Sequence, residues 1–336
     1  MSSAHPTSSS PVRPHFRELP LRVGTRASPL ALWQTRFFLE RLSSFCPVLH
    51  GPLIGDRPIF EEHAIRTTGD AVLDRPLADI GGKGLFAKEI HEALADGRID
   101  FAVHSLKDLE TILPDGIVLA CTLTREDARD ALVLGPDCGP GDPAAPYAAL
   151  PAGALVGTSS VRRRAQLLHA RPDLRMGLIR GNLQTRLAKL EAGACCATML
   201  ALAGLRRMGM EHRASVVLDP DAMVPAAGQG IVGITVRADD VELLQLLAAI
   251  EDPVAKAVST AERSLLSVLD GSCRTPIGGH ARLLPDGRLH LTGLVAREDG
   301  SFLLKRSLHG DRADAERLGA ELGASLRADS PADIFS

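Results

Sequence analysis

The stretch that organises the chain is residues 99–108, IDFAVHSLKD. Apolar residues alternate with smaller or polar ones in its first half, and a helix-like segment closed by a glycine precedes it. This pattern predicts a largely buried strand that enters the edge of a sheet. The apolar character stops at His104, and Ser105, Lys107 and Asp108 follow. Because ligands of open α/β sheets bind beyond the carboxyl ends of strands, we predict that Asp108 is the centre of a functional site.

A solvated turn with a salt bridge between neighbours would explain these four polar residues equally well in isolation. Two observations favour a functional site. The stretch contains no glycine or proline to mark a turn, and arginine-rich sequences follow other predicted strands further along the chain. Such a recurring arrangement is typical of a binding site rather than of surface turns.

Length and composition narrow the class of protein. The chain has 336 residues, enough for two or three domains with their own cores. Its 45% hydrophobic and 24% charged residues are typical of a globular protein. The formal net charge of -3 provides no overall field that would attract nucleic acid, so we expect no nucleic-acid partner. No apolar run approaches the roughly 20 residues of a membrane-spanning helix, so we expect no membrane association.

The cysteines and the first residues bear on cellular location. Six cysteines are scattered along the chain without a CxxC pair or the spacing of a metal site. They predict reduced thiols in a cytoplasmic protein and no bound metal. Residues 1–19 are rich in serine and proline and lack the hydrophobic segment of a secretory signal. We expect a disordered extension there, because no amphipathic period supports an organellar presequence.

Alternating strand and helix patterns begin after this extension. A short strand over 21–25 leads to Ser28 and Pro29, which favour the cap and the first residue of a helix. Arg26 lies in the turn between strand and helix, where free backbone N–H groups favour anions. Further on, three glycines surround Lys83, and this segment is either a flexible connector or one that folds over a ligand.

Three later strands are each followed by arginines near the predicted start of a helix. The strands are expected over 155–158, 176–179 and 197–203. Arginine combines a permanent charge with a planar fork that matches carboxylate or phosphate. One such cluster could be a solvated helix face, but three at the same topological position predict a site for a small polyanion. The arginines are Arg162, Arg163, Arg180, Arg186, Arg206 and Arg207.

The order of these patterns predicts an α/β fold with three parts. The segment AAGQGIVGITVR indicates a strand that returns from a second lobe to the first, so that a cleft lies between two lobes. Two helices, a loop that presents Cys273, three strand-like runs and a last helix then form a small α+β domain. The predicted division is an extension at 1–19, a first lobe at 20–124 and 226–250, a second lobe at 125–225 and a C-terminal domain at 251–336.

Motifs along the chain carry a resemblance that covers it from about residue 21 to the end. In order they are TRASPLALWQ, IGGKGLFAKE, AVHSLKD, REDARDA, GTSSVRRRAQL, LIRGNLQTRL, PAAGQG and DGSCRTPIGG. With these motifs the chain resembles the porphobilinogen deaminases, also called hydroxymethylbilane synthases. The resemblance implies two lobes like those of type II periplasmic binding proteins, around a cleft, with a small C-terminal α+β domain. It also implies a cytoplasmic enzyme, which we expect to be a monomer.

The resemblance implies an activity and a cofactor. The activity is the condensation of four porphobilinogen molecules, head to tail, into the linear hydroxymethylbilane with release of ammonia. The cofactor is a dipyrromethane, held by a thioether to the cysteine of the GxCxxP loop, which is Cys273 here. Asp108 matches the aspartate of HSxKD, which is expected to handle protons and to stabilise the cationic ring formed as ammonia leaves.

Further contacts follow from matching motif positions. Each pyrrole brings two carboxylates, so a growing chain of rings needs many arginines around one cleft. Besides Cys273 and Asp108, the residues expected to bind the cofactor are Lys107, Ser160, Arg162, Arg163, Arg186 and Arg207. Those expected to bind substrate are Arg26, Ser28, Lys83, Arg180 and Arg186.

The sequence departs from the family pattern at a few places. Glu110 and Ala128 stand where the family usually has proline, and Cys196 replaces a usual aspartate. None of these positions carries the chemistry, so we expect changes in loop geometry rather than in function.

Two other interpretations of the sequence remain open. A two-lobed protein could bind a small anionic solute without chemistry, or it could be a regulator that binds phosphate groups of sugars or nucleotides. Neither gives Cys273 in its glycine-flanked loop a role, although a buried structural cysteine is common. An Ehrlich-type colour or an excess mass on the purified protein would distinguish the enzyme from both.

Overall fold

The computed structural model describes residues 19–46, 53–54, 57–72, 84–269 and 275–335. Two predicted site residues, Lys83 and Cys273, lie outside these ranges, as does all but the last residue of the predicted N-terminal extension. None of the helices in these ranges combines the length and the apolar composition that spanning a membrane requires.

Strands and helices alternate through most of the described chain. The strands are β1 (Leu21–Arg26), β2 (Leu53–Ile54), β3 (Arg57–Pro58), β4 (Phe60–Ile65), β5 (Phe101–Ser105), β6 (Ile117–Thr122), β7 (Asp130–Leu134), β8 (Leu155–Gly157), β9 (Arg175–Gly177), β10 (Ala197–Ala201), β11 (Val216–Val217), β12 (Val232–Arg237), β13 (Ile277–Leu283), β14 (Leu289–Ala296) and β15 (Leu303–Gly310). The helices are α1 (Pro29–Phe45), α2 (Thr68–Ala71), α3 (Lys88–Ala95), α4 (Val161–Ala170), α5 (Leu183–Glu191), α6 (Leu202–Arg207), α7 (Val241–Ala248), α8 (Pro253–Val268) and α9 (Ala315–Asp329).

The first sheet is built around β5. Its strand order is β4-β1-β5-β12-β6, so β5 is central and not an edge strand as the sequence pattern predicts. Phe101 and Ala102, neighbours that point to opposite faces, are both fully buried, because both faces of the sheet are covered. β1, β4 and β5 are parallel, whereas β12 runs antiparallel to β5 and pairs Val232 with Ser105. The return strand predicted from AAGQGIVGITVR is therefore confirmed.

The second sheet repeats this arrangement. Its order is β9-β8-β10-β7-β11, in which three parallel strands are followed by the antiparallel strand β7, which enters from the first sheet. We call the first sheet with its helices lobe 1 and the second with its helices lobe 2. This is the predicted two-lobed α/β fold of the type II periplasmic-binding-protein kind, in which the chain crosses twice between lobes.

The C-terminal part is a three-stranded antiparallel sheet, β13-β14-β15, with α8 and α9 packed on it. The two helices approach each other closely, and a Cβ atom on Gly319 would lie 2.2 Å from the carbonyl oxygen of Ala261. Only glycine fits at this crossing. The predicted α+β character is confirmed, whereas the residue boundaries of the three parts stay predictions.

The prediction that all cysteines are reduced is wrong for two of them. Cys138 and Cys196 form a disulfide across a sequence separation of 58 residues. Antiparallel pairing of β7 with β10 places Leu134 opposite Ala197, so the segment after β7 meets the segment before β10. This proximity comes from tertiary structure and has no signature in the spacing of the cysteines. Cys196 is one of the departures from the family pattern noted above.

Candidate active site

Arg26 lies at the carboxyl end of β1, close to the cap of α1. Ser28 is that cap, as predicted, and its Oγ accepts a hydrogen bond from the backbone N–H of Ala31 at 3.3 Å. The Arg26 guanidinium donates two hydrogen bonds to Asp70, from Nε to Oδ2 at 3.1 Å and from Nη2 to Oδ1. Its Nη1 lies 3.5 Å from Asp108 Oδ2. Burial opposes the charge, but the hydrogen bonds to Asp70 and the nearby carboxylates raise the pKa of Arg26.

Lys107 and Asp108 lie in a 3₁₀ turn, Leu106–Asp108, that begins where β5 ends. Lys107 Nζ donates to Gln229 Oε1 at 3.3 Å. Burial lowers the pKa of Lys107 to about 8, and the charge of Arg163 acts in the same direction. The Asp108 side chain is 30% exposed, so a ligand in the cleft can reach its carboxylate.

His104 belongs to the interior of lobe 1 and not to this cluster. Its ring is buried, and its Nε2 forms a hydrogen bond with Thr235 Oγ1 at 3.0 Å. Burial lowers the pKa of His104 well below its usual value, so the ring is neutral. Ser105, the next residue, exchanges hydrogen bonds with Gln34 of α1 at 3.0 and 3.1 Å.

Arg162 and Arg163 in the first turn of α4 share one carboxylate, that of Asp130 at the start of β7. Arg162 Nη1 donates to Asp130 Oδ2 at 2.8 Å, and Arg163 Nη2 donates to Asp130 Oδ1 at 2.7 Å. All three residues are buried. Burial alone would raise the pKa of Asp130, but the two guanidinium groups hold it well below its usual range. Ser160 caps α4 as predicted, accepting from the Arg163 N–H at 3.4 Å.

Arg180 and Arg186 follow β9 and reach toward lobe 1. Arg180 is buried, and its Nη2 donates to the carbonyl oxygen of Gly69 in lobe 1 at 3.1 Å. Arg186 Nε donates to the carbonyl oxygen of Gly181 at 2.8 Å. Burial, then the charge of Arg163, lowers the pKa of Arg186 to about 10, while Asp108 opposes this shift. Arg186 therefore lies among charged groups from both lobes.

Arg206 and Arg207 do not lie at a helix start, contrary to the sequence pattern, but at the end of the short helix α6. Arg206 is turned toward acidic residues, including Glu211 at 2.8 Å, and takes no part in the cluster. Arg207 is turned the other way, and its Nη2 donates to the carbonyl oxygen of Gly230 at 2.7 Å. Burial lowers the pKa of Arg207 to about 10. Arg207 is therefore bound to the segment that returns to lobe 1, and Arg206 is not.

Three polar residues of the site were not identified from the sequence: Asp70, Asp130 and Gln229. Gln229 Nε2 donates to Asp130 Oδ1 at 2.9 Å while its Oε1 accepts from Lys107, so one buried amide connects cations of both lobes. Asp130 stands in REDARDA and Gln229 in PAAGQG, so motif membership was the available signal. Residue spacing alone could not show that they are partners of the cations.

The described part of the predicted site forms one cluster of excess positive charge. Its members influence one another electrostatically across the two lobes, and burial leaves Lys107 and Arg186 with lowered pKa values. A ligand with several carboxylates would neutralise these charges. The cations are Arg26, Lys107, Arg162, Arg163, Arg180 and Arg186, and the carboxylates are Asp70, Asp108 and Asp130. The side chains present therefore fit an anionic pyrrole such as a dipyrromethane.

Fold and site together define a two-lobed α/β protein in which cations of both lobes form a cluster suited to a small polyanion. The family model described as porphobilinogen deaminase, dipyromethane cofactor binding domain, matches residues 21–245. The model of the porphobilinogen deaminase C-terminal domain matches residues 256–328. The chain belongs to the porphobilinogen deaminase family. The family, the class of enzyme and the dipyrromethane cofactor predicted from the motifs are thereby confirmed.

Relatives match over almost the whole chain. A porphobilinogen deaminase of Paracoccus denitrificans is 50% identical over 319 residues, which cover 94% of this chain and 96% of the relative. A chloroplastic porphobilinogen deaminase of Oryza sativa subsp. japonica is 44% identical over 94% of this chain and 85% of its own length. Among solved structures, an arginine-specific periplasmic binding protein of Salmonella typhimurium gives a TM-score of 0.38 at 16% identity, covering 70% of this chain and 93% of that one.

Proposed function

We propose that this protein condenses four porphobilinogen molecules head to tail into linear hydroxymethylbilane and releases ammonia. The observation that carries the proposal is the position of Asp108. Its reachable carboxylate lies 3.5 Å from Arg26, among cations of both lobes, in a chain that belongs to the porphobilinogen deaminase family. The Asp108 carboxylate can accept a proton and stabilise positive charge, and the surrounding cations can bind the carboxylates of the substrate. This combination suits a reaction in which a pyrrole ring that carries carboxylates becomes cationic.

Asp108 is the proposed catalytic residue. Positive charge develops on the pyrrole ring as ammonia leaves, and a fixed carboxylate stabilises that charge without reorganising. The same carboxylate can accept and return protons of the ring nitrogens. The neighbouring Arg26 orients the Asp108 carboxylate, since their closest atoms are 3.5 Å apart.

The cofactor would be held by Cys273 and by the cations at the ends of β5, β8 and β9. When bound, the dipyrromethane supplies the terminal pyrrole to which the first substrate ring is joined. Buried guanidinium groups are suited to its carboxylates because a dry site strengthens charge-assisted hydrogen bonds. Besides Cys273, the proposed contacts are Lys107, Asp108, Ser160, Arg162, Arg163, Arg186 and Arg207.

Substrate carboxylates would be bound by cations at the end of β1 and after β9. Arg26 and Ser28 lie at the turn from β1 to α1, and Arg180 reaches lobe 1 from lobe 2. Arg186 is proposed to serve both cofactor and substrate, because its charge interacts with Arg26 as well as with Arg163. Lys83 completes the proposed set on motif position alone.

We also propose the division of the chain and its setting in the cell. Lobe 1 would comprise 20–124 and 226–250, lobe 2 would comprise 125–225, and the C-terminal domain would begin at 251. The exchange of β7 and β12 between the sheets supports such a division. We expect a cytoplasmic monomer whose small-molecule partner is porphobilinogen, with neither nucleic acid nor membrane as a partner; light scattering of the purified protein tests the monomer.

Intact mass and turnover test the proposed function together. The wild type should exceed its sequence mass by one dipyrromethane, resist removal of this mass by thiol reductants and consume porphobilinogen. Cys273→Ala should lack both the extra mass and the activity. Asp108→Asn should fold but turn over at least about 10²-fold more slowly, because it loses the charge and the proton acceptor.

A nearby aspartate provides the matched control for this experiment. Asp115→Asn changes an exposed carboxylate beyond the same 3₁₀ turn and should leave turnover at the wild-type rate. An unmodified wild-type mass with full activity, or an active Cys273→Ala enzyme, would contradict the proposed cofactor attachment. Reversible binding of porphobilinogen without turnover would favour the alternative, a protein that only binds an anionic solute.

A further inference from the structure

The fork of Arg26 is filled by a carboxylate of the protein itself. Asp70 accepts from Nε at 3.1 Å and from Nη2, which are the two nitrogens that bind a carboxylate side by side. The remaining nitrogen, Nη1, faces Asp108. The flat face of the guanidinium lies over the Phe86 ring, with Cζ 4.2 Å from the ring centre. Arg26 therefore cannot bind a substrate carboxylate through its fork while Asp70 remains in place.

Asp70 is presented at the meeting point of the two lobes. It belongs to α2, a helical turn of four residues. Thr67 Oγ1 donates to Asp70 Oδ2 at 2.8 Å, which orients the carboxylate. The turn is tied to lobe 1 through the Gly69 N–H, which donates to Leu85 at 2.8 Å, and to lobe 2 through Arg180. This anchoring holds the carboxylate in the cleft and not on the outer surface.

The pair is open to exchange with a ligand. The side chains of Arg26 and Asp70 are 23% and 25% exposed, so a carboxylate from solvent can reach both without unfolding. Asp130 offers a contrast, because it is fully buried between Arg162 and Arg163 and cannot leave without stranding them. Of these two carboxylates, only Asp70 can therefore give way to a ligand.

The side chain of Asp70 has the chemistry of one arm of the substrate. An aspartate side chain is a carboxymethyl group, the same –CH₂–CO₂⁻ unit as the acetate arm of a pyrrole. Replacing one such group by another preserves the charge beside Arg26 and makes or breaks no covalent bond. The propionate arm is longer by one methylene and is a poorer match to the space that Asp70 occupies.

We propose that Asp70 occupies the site of the substrate acetate on Arg26 in the free enzyme and is displaced by each incoming porphobilinogen. The inference rests on the proposed function and identifies the acetate arm as the group that Arg26 recognises. Asp70 thus keeps the Arg26 fork oriented between cycles of addition and competes with substrate for it. Asp70 raises the KM of the enzyme through this competition.

Asp70→Asn tests the competition, because it keeps the size of the side chain and removes its charge. We expect the KM for porphobilinogen to fall by about two- to fivefold, the range of a partly exposed ion pair, with a smaller change in kcat. Acetate, compared with chloride at constant ionic strength, should become a stronger competitive inhibitor by a similar factor. Acetate should also inhibit the variant more strongly than propionate does.

An aspartate just before β5 supplies the matched control. At the opposite end of β1, Asp100 accepts two hydrogen bonds from the Arg22 guanidinium, at 3.1 and 3.0 Å, and one from the Arg22 backbone N–H at 2.8 Å. Asp100→Asn therefore breaks an ion pair of the same geometry away from the cleft, and its KM should equal that of the wild type. If Asp70→Asn does not fold, Asp70→Ser, which can still accept from Thr67, carries the same expectation.

The outcomes separate competition from a positioning role. If Asp70→Asn raises the KM and Asp70→Glu restores it, Asp70 positions Arg26, and the proposal is overturned. An unchanged KM in Asp70→Asn also overturns it. If the wild type consumes porphobilinogen, either of these results leaves the proposed function intact. A wild type that does not consume porphobilinogen overturns the proposed function and this inference with it.

Discussion

At the scale of single residues, Lys107 is the cation of the site whose pKa is lowered into the range of about pH 7 to 9. Its ammonium group has left water, and the positive groups of Arg163 and Arg162 lie close enough to oppose its proton. The charges of Asp108 and Asp130 compensate only in part, so the pKa of Lys107 falls to about 8. Lys107 therefore titrates in a range where enzyme activity can be measured.

We expect kcat/KM for porphobilinogen to fall as the pH rises through about 8 and above, because Lys107 then loses the charge that attracts carboxylates. The carboxylates of a bound dipyrromethane would raise this pKa and move the fall to higher pH. The sign follows from the lowered pKa: the ammonium is present below about 8 and absent above it, whereas an ordinary lysine stays charged to about 10.5. Since kcat/KM reports groups of the free enzyme, its profile between about pH 6 and pH 10 is the measurement.

Lys107→Arg separates this group from others that titrate in the same range. Arginine keeps its charge throughout, so the fall near pH 8 should disappear in this variant even if its maximal rate is lower. Lys256→Arg, on the exposed side of α8, should keep the wild-type profile. An unchanged fall in Lys107→Arg would assign the titration to another group.

At the scale of elements, helices with local start signals were predictable. Ser28 and Pro29 begin α1, and the second of the two helices predicted before the Cys273 loop is observed as α8, Pro253–Val268. A capping hydroxyl and a helical period act between residues a few positions apart, so the chain carries this information locally. Strand positions were predictable for the same reason, with small shifts at their ends.

Pairing partners that are distant in sequence were not predictable, although the return of a strand from lobe 2 was. β5 is central because β12 returns to it from over a hundred residues further on. The partners of Arg162, Arg163 and Lys107 are Asp130 and Gln229, which belong to other elements. The sequence predicted the cations that lie together in the described part of the chain, with Arg206 as the exception. A spacing rule contains nothing about which side chains will neutralise them.

The disulfide between Cys138 and Cys196 is a stabilising element without a part in the site. It closes a loop over a sequence separation of 58 residues, and such a cross-link contributes about 2–4 kcal/mol by restricting the unfolded chain. We expect Cys196→Ser to lower the midpoint of thermal unfolding and to keep the wild-type kcat. Unfolding followed with and without a thiol reductant is the measurement.

The reductant itself provides a second comparison for the disulfide. Reduced wild type should unfold at the midpoint of Cys196→Ser, and the variant should not respond to reductant. Cys46→Ser, which changes a free thiol at the end of α1, should keep the reductant-sensitive midpoint of the wild type. Equal midpoints for oxidised and reduced wild type would show that the bond does not stabilise the fold.

At the scale of the whole molecule, one buried carboxylate connects three parts of the chain. Glu262 of α8 accepts from Arg125 Nη1 at 2.6 Å, where the chain passes from lobe 1 to lobe 2. It also accepts from the N–H of Gly228, in the segment that returns to lobe 1, and from the N–H of Ala281 in β13, both at 2.6 Å. The C-terminal domain is thus joined to both crossings between the lobes.

Glu262→Gln should destabilise the whole molecule because each carboxylate oxygen faces a backbone donor. The amide nitrogen of glutamine would meet the N–H of Gly228 or Ala281, and Arg125 would lose its counter-ion; breaking such a buried pair costs about 3–5 kcal/mol. We expect a clearly lower thermal midpoint, whereas Asp286→Asn, which breaks an exposed ion pair with Arg288, should leave it unchanged. If Glu262→Gln unfolds at the wild-type midpoint, the carboxylate does not hold the three parts together, and their contacts rest on apolar packing alone.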